Sequence, residues 1–241
     1  KNKVLKISDS MKAYNERMDK EMLEGGKPVI KYYDGVSMNA IWAVPSLGID
    51  PATGREIYRK KDGRSTFTYD VNDMVICGDN LPKLNGSFNI DLGYKGLEFN
   101  MTCIYELGAK MFNQTLIDRV ENVDMHYNVD RRVLEGRWQN PGDVVRFRSL
   151  KSYWDPETQT YPRDVQTKAT SRFVQKKNEL NISSINISYD FYRYAFVKQI
   201  GLERLSLAFY MNDVAKLSTI KTERGLAYPF ARNYNFSLQM T

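Results

Sequence analysis

The sequence predicts an all-β fold whose antiparallel strands belong to a wide membrane barrel, with a soluble β-sandwich as the alternative. Three observations lead there. Several segments alternate apolar and polar residues with period two. No apolar run approaches the roughly 20 residues that a transmembrane helix needs, whereas barrel strands need only about 10 alternating residues. Short glycine turns alternate with long polar connections, which is the asymmetry of outer-membrane barrels.

Bulk composition sets the frame. The chain has 241 residues, 42% hydrophobic and 27% charged, so composition does not predict disorder. Tyr is abundant, at 16 residues, and its apolar ring with a polar tip suits membrane boundaries, interfaces and carbohydrate sites. The net charge of +6 is spread along the chain without a dense basic run, so no nucleic-acid partner is expected. The start, Lys1 to Lys6, lacks the apolar core of a signal peptide.

The elements follow in order. Met11, Tyr14, Met18 and Met22 recur at helical spacing after a cap at Asp9 or Ser10, and Gly25-Gly26 ends that helix. From Asp34 onward strands and turns dominate. Phe88, Ile90, Leu92 and Tyr94 alternate with polar residues, and Leu97, Phe99, Met101, Cys103 and Tyr105 do so after Gly93-Tyr94-Lys95-Gly96. Alternation on both sides of a glycine turn predicts a β-hairpin.

Ile185, Ile187, Tyr189 and Phe191 form a further strand, joined through Gly201 to Leu205, Leu207, Phe209 and Met211. Tyr234, Phe236, Leu238 and Met240 close the chain in the same rhythm. No helical period appears in this half. The segments from about 107 to 178 and from 212 to 232 read as long polar loops. The opposite faces carry Ser, Asn, Asp and Gln, the small hydrated residues expected of a lumen lining.

Catalytic and metal chemistry find little support. His126 is the lone histidine, and Cys77 and Cys103 lack a second ligand pair, so neither a zinc site nor a Cys–His nucleophile is predicted. Both thiols are expected to be unpaired. Asp50, Asp62, Asp79, Asp130 and Asp143 each adjoin turn-like sequence, where Asp bonds nearby backbone N–H groups. Nucleotide-loop and serine-hydrolase fingerprints are absent. No enzyme activity and no cofactor are expected. Trp138, Tyr153, Trp154 and Tyr161 fall in the long polar region as candidate external-loop contacts to substrate or partner, unless they pack the loop against its neighbours.

Several ordered stretches are similar to the C-terminal β-barrel region of the SusC/RagA family of TonB-dependent outer-membrane transporters from Bacteroidetes. They include Gly48-Ile49-Asp50-Pro51-Ala52-Thr53-Gly54, Lys61-Asp62-Gly63, Gly78-Asp79-Asn80-Leu81-Pro82-Lys83 and Gly93-Tyr94-Lys95-Gly96. Asn128-Val129-Asp130-Arg131-Arg132, Arg137-Trp138-Gln139-Asn140-Pro141-Gly142-Asp143 and Thr170-Ser171-Arg172-Phe173-Val174 follow. Asn212-Asp213-Val214, Glu223-Arg224-Gly225 and Tyr228-Pro229-Phe230-Ala231-Arg232 complete the series.

The resemblance implies the C-terminal strands of a roughly 22-stranded plugged barrel with long external loops. Residues 1–241 would form one fragment of that barrel, about six to eight strands by length, with the plug and earlier strands outside it. It further implies import of oligosaccharides or peptides across the cell outer membrane with a SusD-like surface lipoprotein. The TonB system would act through the missing N-terminal part, and membrane lipid would bathe the apolar face. Tyr234, Phe236, Leu238 and Met240 resemble the terminal-strand signal read by the barrel assembly machinery, with the usual last aromatic one residue beyond Thr241. A secreted carbohydrate-binding β-domain is the alternative.

Overall fold

A computed structural model describes residues 2–25, 28, 30–123, 130–150, 167–221 and 231–241, with the side chains of 21–25 outside that description. The chain divides into two compact units. The first comprises residues 1–81 and 110–175, the second residues 82–109 and 176–241.

The first unit begins with α1 (Asp9–Gly25). Lys12 N donates to Ser8 O at 3.2 Å, which closes the first turn from a residue just before the expected cap. Met18 is buried, and Asn15 locks the helix to the extended chain by bonding both the N–H and the C=O of Tyr32. Two small antiparallel sheets follow. One pairs β1 (Ala40–Ala43) with β5 (Val75–Asp79), and the other orders β2 (Ser46–Ile49), β3 (Glu56–Arg59) and β4 (Ser65–Thr66). The short helix α2 (Gln114–Leu116) runs into a π-helical turn at Ile117–Glu121. Leu116, Ile117, Val120, Phe147 and Phe173 pack into one apolar cluster, and Val44, Met74 and Ala169 into another.

The second unit is dominated by one five-stranded sheet. Its strands are β6 (Leu84–Tyr94), β7 (Leu97–Phe112), β8 (Val174–Asp190), β9 (Leu205–Ser218) and β10 (Tyr234–Met240), lying side by side in chain order. This up-and-down arrangement is that of a barrel wall. Among the described residues this sheet has five strands, and β7 and β8 run to 16 and 17 residues.

The predicted hairpin is present. Tyr94 pairs with Leu97, leaving Lys95 and Gly96 as a two-residue turn with φ of 48° and 92°. Positive φ at both positions is the primed geometry that matches strand twist. Gly96 is required twice over, since a Cβ there would lie 2.6 Å from Asp190 O.

The β8–β9 connection differs from expectation. It contains α3 (Ala195–Gln199), a single helical turn whose Val197 is buried. Five residues are too few for a periodicity to register against the surrounding strands.

Candidate membrane-facing surface

Strand register assembles one apolar face from scattered residues. Phe236 of β10 pairs with Phe209 of β9, which pairs with Ile187 of β8. The neighbouring rows join Leu238, Leu207 and Tyr189, and Met211 with Tyr234 and Ile185. On the hairpin, Leu92 pairs with Phe99, Ile90 with Met101 and Phe88 with Cys103. Directly paired residues share a face, so these rows form a continuous greasy surface.

That surface is open. Leu92 is 63% exposed, Phe236 74% and Leu238 57%, and Tyr94, Tyr234 and Met240 are likewise exposed. A β-sandwich buries such a face against a second sheet. Contiguous exposed apolar area marks an interface, and here residues of all five strands contribute, with Cys103 and Met211 buried among them. At roughly 3.4 Å per residue and a tilt of about 40°, the 11 residues of β6 rise about 26 Å, matching the apolar band of a membrane barrel.

The opposite face is polar. Asn100 donates to Asp91 at 2.7 Å across the hairpin, and Ser188 reaches Glu98 at 3.4 Å. Asn235, Ser237 and Gln239 continue it on β10. Small hydrated groups of this kind suit a water-filled lumen.

An aromatic knot closes the turn end of the sheet. Tyr189 and Phe191 pack edge to face at 4.8 Å, Tyr194 lies 6.0 Å from Phe191, and Phe196 lies 6.1 Å from it. Tyr189 and Tyr194 hydroxyls are 3.1 Å apart. Arg193 lies over Tyr192 and Lys95 over Tyr94, while Arg204 bonds Asp190 at 2.7 Å. Rings with polar tips beside cations form the girdle expected where hydrocarbon meets headgroups. Sequence reading followed alternation and so passed over Tyr192, Arg193, Tyr194 and Phe196. The density of rings in Phe191–Phe196 was the available signal.

The predicted site residues divide. Tyr234, Phe236, Leu238 and Met240 lie together on β10, at the sheet edge, all exposed. Trp138 is held in its loop. Its indole N–H donates to Pro51 O at 2.8 Å, and its ring lies where a Cβ on Gly54 would approach to 2.5 Å. Trp138 therefore braces the turn at Pro51–Gly54. Tyr153, Trp154 and Tyr161 lie outside the described residues, as does His126. Cys77 and Cys103 are free, and burial pushes the Cys77 thiol pKa up, which keeps it neutral.

The five turn aspartates bond backbone. Asp50 accepts from Ala52 N, Asp62 from Arg64 N, Asp79 from Leu81 N and Asp130 from Arg132 N. Asp143 accepts from both Gln139 N and Asn140 N, and these bonds hold its carboxyl below the usual range.

One charged cluster in the first unit was not anticipated. Arg172 forks onto both oxygens of Glu56, at 3.2 and 2.9 Å, and turns its remaining nitrogen to Glu121 and to Arg146 O. Glu121 also takes Arg148, and Thr170 donates to Glu56 at 2.7 Å. Burial alone lowers the Arg172 pKa, but the two carboxylates outweigh it and leave it raised. Each member has partners inside the cluster, so it reads as a clamp joining four chain segments.

No protein-family model matches the chain. It is 26% identical over 157 residues to the "TonB-dependent receptor P39" of Formosa agariphila, covering 64% of this chain and 14% of that protein. Among solved structures, the RagAB peptide transporter matches with a TM-score of 0.61 at 16% identity, covering 78% of this chain and 20% of the other. The RagAB peptide importer in its open-open state matches with a TM-score of 0.59 at 14% identity, over 79% and 20%. At these identities the structural likeness concerns the fold. The chain thus spans about one seventh of the curated relative and one fifth of the structures. Sequence and fold agree in their resemblance to SusC/RagA-type TonB-dependent transporters, and the antiparallel sheet is the barrel part.

Proposed function

We propose that the chain supplies wall strands and external segments to a TonB-dependent outer-membrane transporter that takes up nutrients. The observation that carries this reading is the uncovered apolar face of the second unit, backed by a polar face and ended by an aromatic girdle. Lipid is the solvent for which such a face is favourable.

Oligosaccharides or peptides are the proposed cargo, with a SusD-like surface lipoprotein as partner. The RagAB structures are named as a peptide importer and carry the proposal of a peptide no further than that likeness. TonB would act through parts of the transporter other than these residues. The assembly machinery would read β10 through Tyr234, Phe236, Leu238 and Met240. Trp138, Tyr153, Trp154 and Tyr161 remain the proposed external-loop contacts to cargo or lipoprotein. We assign the protein no catalytic step.

Fractionation of native cells tests this. Mass spectrometry is expected to find peptides of this chain in detergent-extracted outer membrane, together with those of a lipoprotein. Recovery in the soluble fraction without detergent would sink the reading and favour the secreted carbohydrate-binding domain.

A further inference from the structure

The first unit contains a cavity of about 470 Å³ beside the β1–β5 sheet. This is well within the range of about 300–1,000 Å³ typical of small-molecule sites. Register places Trp42 directly opposite Ile76, so both side chains lie on one side of that sheet. The Tyr33 ring packs on Trp42 with centroids 4.9 Å apart, and Met74 extends the apolar wall. Ile76 stays 47% exposed, an apolar group left facing solvent beside an open cavity.

The polar lining is unequal. Lys31 is buried and paired with Asp19, so its charge is already answered. Lys61 is exposed at the rim. Its backbone N–H bonds Asp73, while its ammonium meets no carboxylate among the described residues. The Trp42 indole N–H is buried without an acceptor, an uncommon state for a polar group. The wall therefore has an aromatic and aliphatic surface, the Asp19–Lys31 pair, the Asn72 amide and, at the rim, the ammonium of Lys61.

We infer that this cavity binds a small ligand in which an apolar side group neighbours a carboxylate, such as the C-terminal residue of a short peptide. The side group lies over Trp42 and Ile76, and the carboxylate meets Lys61. Under the transport reading this site contacts cargo, and that reading keeps its own test in membrane fractionation.

The test uses the detergent-extracted protein and N-acetyl-4-fluorophenylalanine, followed by fluorine line broadening. The probe is expected to broaden on binding, and its uncharged amide to bind roughly two- to five-fold more weakly, the value of a partly exposed ion pair. Ile76→Asp should abolish binding of both probes, with thermal unfolding as a check that the half-exposed position leaves the fold intact. Lys61→Met should erase the difference between acid and amide, and this readout stands even if Ile76→Asp unfolds. Absence of broadening, or binding unchanged in both variants, would overturn the inference. So would binding of N-acetylglucosamine with the amino-acid probes inert, which would make the cavity a sugar site.

Discussion

The first unit encloses Glu56, Glu121 and Arg172 and gathers its apolar side chains around Phe173 and Val44, whereas the long-stranded unit turns Leu92, Phe209 and Phe236 toward its outside. The two share one chain. They differ in which surroundings make burial favourable. In water, apolar area is driven inward and a buried cation is tolerable only when carboxylates surround it. Against lipid, an outward apolar face costs nothing and the polar groups gather on the other side of the sheet. The contrast teaches that the direction of the side chains, read through register, separates a unit that buries its apolar groups from one that leaves many of them outside.

The sharpest way to break the first half of that contrast is Arg172→Leu. It strands Glu56 and Glu121 as buried carboxylates, and the expected loss is about 3–5 kcal/mol. Limited proteolysis of the extracted protein would read it as cleavage within residues 110–175, with the sheet of the second unit still protected. Adding Glu56→Gln and Glu121→Gln should restore part of the loss, because the stranded charges are then gone. Unaltered proteolysis in the single variant would show that the clamp contributes little.

The second half is tested by a pair of neighbours. Phe209→Arg puts a charge on the apolar face and should cost roughly 2–4 kcal/mol near mid-bilayer. Tyr210→Arg, one residue on and facing the polar side, should insert almost normally. The yield of heat-modifiable folded protein in outer membrane distinguishes them. Equal yields would remove the assignment of faces.

The smallest expected effect concerns acid. The Asp143 carboxyl is held below its ordinary value by backbone N–H groups of Gln139 and Asn140, so its contribution to the turn is complete above the unfolded pKa. It is lost as pH falls through the lower folded value. Amide exchange at residues 139 and 140 should quicken below about pH 4 relative to the intrinsic rate. Asp143→Asn should remove that dependence on acid. A rate ratio constant with pH would show that these bonds are not the controlling ones.

Much of the sheet was legible because its cause is local. Period two in Phe88–Tyr94 and Leu97–Tyr105, with Lys95-Gly96 between, demands a hairpin whatever the rest of the chain does. The aspartate turns were legible for the same reason, since each side chain reaches backbone two to four residues away. The Arg172 clamp was not. Its link to Glu56 spans 116 residues, and no local rule selects that pair among the many charged side chains. Trp138 shows the same limit, because the Pro51 carbonyl that holds its indole lies 87 residues away.

By itself, then, the sequence determined the strands, their hairpin and the amphipathic character of the sheet, for these follow from near-neighbour sterics and alternation. Tertiary structure alone decided which side chains stand opposite one another, and so that Phe236, Phe209 and Ile187 form one apolar row. It also decided that the N-terminal residues and residues 110–175 close into a unit of their own around a buried arginine. Register and burial depend on partners distant in the chain, and the free energy that selects them is collective.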